Sequence, residues 1–193
     1  ETQQTTAQSA DQPAQLSNKT AADGEKPEQP RYAARTFNAK TAFWVYVQET
    51  PESEQRGIGQ TPSAAPLEIP ACWLWSVYRR GPVQDRDALI RELRESRVPG
   101  LEWNGVTDSD VRRLVGLTEL RHLGLTGNRI TDAGLEQLRG LTRLESLILD
   151  SPHVTDAGLG HLRGLTGLRS LSLSGPKLTE AGVEQLIKAL PGL

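Results

Sequence analysis

The sequence is poor in the residues that build disulfide frameworks, metal sites and membrane spans. Its 193 residues include one cysteine, three histidines and no methionine, and only 5% of them are aromatic. The single Cys72 excludes an internal disulfide and a cysteine-based zinc cluster. No apolar run approaches the roughly 20 residues that cross a bilayer. We therefore expect a soluble chain without a membrane span.

The charges are balanced, with 22 Lys and Arg against 24 Asp and Glu and a formal net charge of −2. This balance gives no basic footprint for nucleic acid or for an anionic membrane, so we expect neither as a partner. Glu1 is not an initiator residue, which indicates a processed form or a fragment of a longer protein. Both a cytoplasmic and an exported location are open on this evidence.

Residues 1–40 are rich in Gln, Thr, Ala, Ser and Pro, and their bulky apolar side chains are Leu16, Tyr32 and Phe37. So little burial does not offset the roughly 1–2 kcal/mol of backbone entropy lost per ordered residue. We predict a disordered leader or linker over residues 1–40. The alternative is a segment that becomes ordered on a partner through residues 31–37.

Leucine is unevenly distributed, because 22 of the 27 leucines lie in residues 96–193. Self-comparison finds a repeat of 24 residues. The pattern Leu-x-x-Leu-x-Leu begins at Leu120, Leu144 and Leu168. Three further segments follow it in the same register: Ile130–Leu135, Val154–Leu159 and Leu178–Val183. One step back come Leu101 and Val106, and two steps back come Cys72, Trp75 and Val77.

The spacing predicts a repeat region over residues 72–193. It has a degenerate first repeat at 72–95 and clear repeats at 96–119, 120–143, 144–167 and 168–191. The alternating leucines are typical of a strand buried on one face. The threonines before Asp-Ala-Gly stand at helix N-caps, and the following acid suits the helix dipole. One such unit cannot bury enough apolar surface to fold alone, so the units must stack.

This unit resembles the leucine-rich repeat family, specifically the bacterial 24-residue type marked by Ile/Val-Thr-Asp-Ala-Gly-Leu and related to F-box-associated leucine-rich repeats. The resemblance covers residues 96–193, extends weakly over 72–95 and is absent before that. It implies an α/β solenoid with parallel β-strands on a concave face, helices on a convex face, and protein binding by the concave face.

The sequence departs from the family pattern at the ninth position of the unit, which is often Asn. It holds Asn104 and Asn128 in two repeats and Pro152 and Pro176 in the next two. We therefore expect the usual side-chain ladder to be interrupted. The last strand, at 171–173, is expected to be an exposed C-terminal edge that allows assembly into a larger complex.

Residues 41–71 are predicted to form an N-terminal cap. Phe43–Val47 alternates aromatic and β-branched residues and is predicted to be a strand that packs beside residues 73–78. Residues 51–70 contain four prolines and are predicted to be a loop. Trp44, Trp73 and Trp75 are predicted to form an aromatic cap core, with an exposed aromatic binding patch as the alternative.

The sequence offers no catalytic motif. His122, His153 and His161 are expected on a strand, a loop and a helix, and no H-E-x-x-H, G-x-S-x-G or phosphate loop is present. Cys72 takes an inward position, where a buried thiol is inert. We therefore predict no enzymatic activity, no cofactor and no metal site.

The outward positions of the predicted strands form three rows across the concave face. The predicted rows are Leu74, Val98, His122, Ser146 and Ser170; Ser76, Gly100, Gly124, Ile148 and Ser172; and Tyr78, Glu102, Thr126, Asp150 and Ser174. From them we predict a partner-binding site at Leu74, Tyr78, Glu102, His122, Thr126, Ile148, Asp150, Ser172 and Ser174. Tyr78 and Leu74 are the expected anchors, while Glu102 and Asp150 select a basic partner group.

A second row, Arg129, His153 and Lys177, follows successive strands and is predicted either to meet an anionic group or to form a solvated loop edge. The sequence thus favours a non-catalytic protein–protein interaction module that binds a protein partner. Two alternatives are a structural or assembly subunit that docks through its leader or solenoid ends, and a regulatory fragment of a larger enzyme.

Overall fold

The computed structural model describes residues 30–50, 53–62, 65–72, 74–79, 83–126 and 129–193. Within these ranges the strands are β1 (Arg35–Phe37), β2 (Phe43–Gln48), β3 (Arg56–Thr61), β4 (Leu67–Ile69), β5 (Leu74–Arg79), β6 (Gly100–Asn104), β7 (His122–Thr126), β8 (Ser146–Asp150) and β9 (Ser170–Ser174). The helices are α1 (Arg86–Glu95), α2 (Asp108–Leu114), α3 (Asp132–Leu138), α4 (Asp156–Leu159), which continues as a 3-10 turn over Gly160–Gly164, and α5 (Glu180–Ala189).

Seven strands form one sheet in the order β3-β2-β5-β6-β7-β8-β9. Strands β5 to β9 are parallel, and each is followed by a helix. The inward strand residues are buried against helix leucines such as Leu114, Leu135 and Leu138, which are 0% exposed. The predicted α/β solenoid with parallel strands is confirmed.

Strand β6 differs from the predicted register by two residues. A constant repeat of 24 places Leu101 beside Leu125, but the structure pairs Leu101 with Leu123 and Trp103 with Leu125. The predicted register between β6 and β7 is therefore wrong, and the separation there is 22 residues, from 101 to 123. It is 24 at the other parallel pairs, which include Val77 with Leu101, Leu123 with Leu147, and Leu147 with Leu171.

The connection from strand to helix explains the shift. We call one strand and the helix that follows it a coil of the solenoid. In the coil of β6 the buried residue before the helix, Val106, follows the last inward strand residue, Trp103, by three positions. In the next coil Ile130 follows Leu125 by five positions. The helices keep the 24-residue spacing while the strand moves by two residues. Val98, which was predicted to point outward, is consequently a core residue at 3% exposure.

Neighbouring coils are joined by hydrogen bonds between the aspartate of one repeat and the threonine of the next. Asp132 accepts hydrogen bonds from the backbone N–H of Thr155 (2.8 Å) and from its hydroxyl (2.7 Å). The same two bonds join Thr131 to Asp108 and Thr179 to Asp156. The hydrogen bond from the Thr179 hydroxyl, followed by the one from its N–H, lowers the pKa of Asp156. The aspartate therefore links coils, in addition to the predicted interaction with its own helix.

The glycine of each Thr-Asp-Ala-Gly segment, and of the matching Thr-Glu-Ala-Gly segment that ends at Gly182, makes room for the preceding coil's aspartate. A Cβ at Gly134, Gly158 or Gly182 would stand 2.1–2.3 Å from Oδ1 of Asp108, Asp132 or Asp156 respectively. Real Cβ atoms do not approach an oxygen so closely. Threonine, aspartate and glycine in this motif thus form one inter-coil contact.

The N-terminal cap is a β-hairpin. As predicted, β2 pairs with β5, and the pairing is antiparallel. Residues 51–70 are not wholly a loop, because β3 pairs antiparallel with β2 and β4 lies within the same stretch. This corrects the predicted Pro-rich loop. The prolines fall outside both strands, so the proline content did not prevent strand formation.

Strand β1 corrects the predicted leader. It pairs antiparallel with β4, and the Phe37 ring lies 5.3 Å from the Trp75 ring and is 4% exposed. Residues 30–40 are therefore part of the fold, because the Phe37 side chain is buried in the core of the cap. Residues 1–29, including Leu16, lie outside the described residues, as do Trp73 and Asn128.

The segment before β1 contacts residues that precede three of the parallel strands. Tyr32 forms an antiparallel bridge with Cys72, and its hydroxyl accepts a hydrogen bond from the guanidinium of Arg121. Burial raises the pKa of Tyr32, an effect that the positive charge of Arg121 opposes. Arg31 forms an ion pair with Glu145, 2.5 Å from Nη1 to Oε2. This segment thereby fixes the cap to the solenoid.

Candidate functional site

The sheet has one face that the helices leave uncovered, here called the open face. It consists of the side chains of β2 and β5 to β9 that point away from the helices. Strand pairing arranges them in rows: Tyr46, Ser76, Gly100, His122, Ser146 and Ser170; Trp44, Tyr78, Glu102, Gly124, Ile148 and Ser172. A further row contains Asn104 beside Thr126, and Asp150 beside Ser174.

The two-residue shift of β6 changes the predicted rows. Glu102 lies beside Gly124 instead of Thr126, and Gly100 lies beside His122 instead of Gly124. Val98 leaves the face altogether, and Leu74 pairs with Gln48 of β2. The glycines fit these positions, because a Cβ at Gly124 would lie 2.8 Å from Cγ of Glu102. The predicted residues Tyr78, Glu102, His122 and Thr126 are nevertheless brought together.

Aromatic side chains gather at the cap end of the open face. Trp44 is directly opposite Tyr78 in the β2–β5 pair and is 45% exposed, while Tyr46 and Tyr78 are half-buried. The predicted aromatic core therefore divides: Trp75 is in the core at 1% exposure, and Trp44 is on the surface. The strict alternation of Phe43–Val47 carries the signal that separates Trp44 from its buried neighbours.

Two side-chain hydrogen bonds join residues of three strands, β5, β6 and β7, on the open face. The amide Nδ2 of Asn104 donates to the hydroxyl of Tyr78 at 2.8 Å. The Thr126 hydroxyl donates to Oδ1 of Asn104. Asn104 was not among the predicted site residues, because the 24-residue register assigned it to a loop ladder. It fixes the orientation of the Tyr78 ring beside Trp44.

A second group of side-chain contacts joins Glu102, His122 and Ser146. His122 Nδ1 lies 3.1 Å from the hydroxyl of Ser146, and Nε2 lies 3.5 Å from Oε1 of Glu102. His122 is 7% exposed, and its Nε2 makes no hydrogen bond within the described part of the chain. Because this nitrogen is itself buried, a partner on the face would meet the Glu102 carboxylate, whose side chain is 31% exposed, and not the imidazole.

Serine, histidine and glutamate are also the residue types of a hydrolytic triad. Acyl transfer additionally needs N–H groups that are free to hold the oxyanion. Ser146 lies in β8, whose backbone pairs with strands on both sides, so the N–H groups around it are used in the sheet. The backbone of β8 at Ser146 is therefore engaged in the sheet, and the three side chains offer polar contacts on the face.

The remaining predicted residues form the polar far end of the face. Ile148 and Ser174 are half-buried, and Asp150 and Ser172 are exposed. The loop residues Arg129, His153 and Lys177 are also exposed, and none of them forms an ion pair with a described residue. Hence the structure brings the strand residues together on one face and leaves the loop row apart from them.

Within the described ranges, no three His, Cys, Asp or Glu side chains are grouped so that they could hold a metal ion. Burial raises the pKa of the Cys72 thiol, which keeps it protonated. No helix among the described residues is long and apolar enough to cross a membrane.

Comparison with known proteins agrees with the repeat architecture. Residues 118–178 match the family model described as leucine rich repeat. No curated protein matches the sequence. Among solved structures the chain is similar to an internalin from Listeria monocytogenes, with 21% identity and a TM-score of 0.40 over 58% of this chain and 37% of that one. The chain thus spans less than two fifths of the internalin's length. Residues 118–178 thus resemble leucine-rich repeats, and the same strand–helix unit is repeated from β5 to α5.

Proposed function

We propose that this chain is a non-catalytic protein-interaction module that binds a protein partner on the open face, at the cap end. The observation that carries the proposal is the pair of Trp44 and Tyr78, which stand side by side on that face with Trp44 45% exposed. Aromatic side chains that are partly exposed on a rigid element are the residues that most often anchor interfaces.

The polar residues around this pair support the same function. Tyr78 is held by Asn104 and Thr126, and Glu102 is held near His122. Because these side chains are already ordered, a partner that contacts them causes little further loss of rotamer freedom. Glu102 and the exposed Asp150 favour a partner that presents a basic group.

The size of the face indicates the kind of partner. Six strands about 4.8 Å apart, each about five residues long at 3.3 Å per residue, give a surface of roughly 24 by 16 Å. This area, about 400 Å², is half of the ~800 Å² that each partner buries in a standard interface. We infer that the partner contributes a short segment, or that the affinity is modest.

We also infer that the repeats belong to the bacterial 24-residue type and that those at 120–143, 144–167 and 168–191 keep the predicted boundaries. The inference is supported by the 24-residue spacing of the Thr-Asp-Ala-Gly and Thr-Glu-Ala-Gly segments and by the hydrogen bonds that Thr155 and Thr179 donate to the preceding aspartates. The 22-residue separation of β6 and β7 is a local departure from that spacing. Nucleic acid is not the expected partner, because two acids, the half-buried Glu102 and the exposed Asp150, lie on the face.

Assembly through the solenoid end is the second candidate. Strand β9 pairs with β8 on one side and with no described strand on the other. Apolar side chains remain half-buried or exposed at this end: Leu171, Leu173, Leu178, Val183 and Ile187. An assembly role predicts that binding is insensitive to Trp44 and Tyr78.

The double substitution Trp44→Ala and Tyr78→Ala is expected to reduce partner capture at least tenfold, since anchors of this kind each contribute more than about 1 kcal/mol. The measurement is affinity capture from an extract of the source cells, with quantification by mass spectrometry. Val115→Ala is the matched control, because Val115 is 37% exposed next to α2, away from the open face.

Equal recovery of every captured protein by the double variant and the intact chain would contradict binding at the open face. Loss of capture on deletion of residues 1–29, with the double variant unaffected, would instead support docking through the leader.

A further inference from the structure

We propose that a groove at the strand-start edge of the solenoid binds the phosphoryl group of a small phosphate ester. The groove encloses about 620 Å³ and lies where β7, β8 and β9 begin, far from the aromatic pair on the open face. It is lined by Arg121, Arg143, Glu145, Thr166, Gly167, Arg169, Pro191 and Gly192.

The groove is positively charged in a chain whose net charge is −2. Three arginines line it, and Glu145 is the one acid among its described lining residues. Both oxygens of Glu145 are engaged, Oε2 by Arg31 at 2.5 Å and Oε1 by Arg121. Because these two guanidinium groups compensate its charge, Glu145 does not repel an anion from the arginines beside it.

Arg143 and Arg169 line the groove from neighbouring coils, just before β8 and β9. They are not in register, because Arg169 lies beside Glu145 and the position that matches Arg143 is Gly167. Gly167 presents no side chain to the groove. A Cβ there would lie 3.3 Å from the carbonyl oxygen of Leu144, a tight contact, and the glycine leaves the groove open. The hydroxyl of Thr166 is at the same rim.

A phosphoryl group suits this arrangement better than a carboxylate. A planar carboxylate is satisfied by one guanidinium fork, whereas a phosphoryl group has three tetrahedral oxygens that two forks from neighbouring coils can share. The volume lies in the range of small-molecule sites, about 300–1,000 Å³, and so also admits the organic part of an ester.

The present partner of Arg143 does not block this role. Its Nη1 donates to both oxygens of Glu119, at 2.9 and 2.8 Å, and both side chains are more than half exposed. Exposed ion pairs of this kind contribute little to stability. A ligand can therefore take over the guanidinium without disturbing the fold.

Isothermal titration calorimetry with phenyl phosphate tests the proposal. Phthalate is the comparison ligand, because it is a dianion of similar size that carries only carboxylates. We expect phenyl phosphate to bind at least tenfold more tightly than phthalate. Arg143→Ala and Arg169→Ala should each weaken its binding about tenfold, since each removes a charge-assisted hydrogen-bonding group. Arg139→Ala is the matched control, because Arg139 is an exposed arginine with an exposed partner, Glu136.

Equal affinity for both dianions, or equal weakening by Arg139→Ala, would overturn the proposal, because either result indicates unspecific attraction. A measurement on the intact chain guards against misfolded variants. Phenyl phosphate should protect Arg143 and Arg169 from modification by phenylglyoxal, as read by mass spectrometry, and absence of protection would also overturn the site. Both tests are independent of partner capture on the open face.

Discussion

Replacement of Gly158 by alanine is expected to lower the free energy of unfolding by about 2–3 kcal/mol, as overpacked buried sites do. The loss is expected although alanine is the better helix former by about 1 kcal/mol. The new Cβ would stand 2.1 Å from Oδ1 of Asp132 and 3.1 Å from its Cα. Asp132 cannot move aside without losing its two hydrogen bonds from Thr155. Urea unfolding monitored by circular dichroism measures the loss.

Gly160→Ala is the matched control for this substitution. Gly160 ends the same helix with φ −56°, and no atom lies within 4 Å of its built Cβ. Alanine there should leave stability unchanged or raise it by up to about 1 kcal/mol. In an Asp132→Ala background the cost of Gly158→Ala should fall below about 1 kcal/mol. An equal cost in both backgrounds would show that the glycine is needed for some other reason.

Replacement of Trp103 by alanine is expected to cost about 3–5 kcal/mol, the usual range for a large aromatic side chain removed from a core. Trp103 is 2% exposed and pairs with Leu125 in the inward row of the sheet. With a constant 24-residue spacing it would instead match position 127, beyond the last residue of β7. The substitution therefore tests the shifted register of β6 by urea unfolding.

Trp44→Ala is the matched control, because it removes the same side chain from an exposed position. Trp44 is 45% exposed on the open face, so its removal should cost about 1 kcal/mol or less. Similar losses for the two tryptophans would contradict the burial of Trp103 and, with it, the register that places Glu102 beside Gly124.

The repeat itself could be predicted from the sequence because its chemistry is local. Leu123 and Leu125 alternate inward, and Thr131 caps its helix, as the Leu-x-Leu and Thr-Asp patterns indicate. The role of Gly158 could not be read in the same way. It depends on Asp132, which is distant in sequence and becomes a neighbour only when the coils stack.

The sequence predicts the wrong register for β6 because the helix positions of that repeat keep the 24-residue spacing while its strand is shifted by two residues. Val106 keeps the 24-residue spacing to Ile130, so the alignment followed the helices. Val98 and Trp103 stand where leucine stands in the later coils, and neither was recognised as part of the pattern. With the 24-residue register, Glu102 is assigned to the wrong row and the contact of Asn104 with Tyr78 cannot be predicted.

The cap was predicted in part for a different reason. Phe43–Val47 carries its own alternation and was identified as a strand. Strand β1 has three residues and is stable only through its pairing with β4 and the packing of Phe37 on Trp75. Composition cannot reveal such a strand, because its stabilising partners lie more than thirty residues away.

Photo-crosslinking from the open face tests the central claim most directly. A benzophenone amino acid replaces Trp44 in one variant and Val115 in another, and each is irradiated in an extract of the source cells. The proposed function predicts a crosslinked partner from position 44 and none from position 115, with the crosslink lost after Glu102→Lys reverses the charge of the face. A partner crosslinked from position 115 but not from position 44 would contradict it.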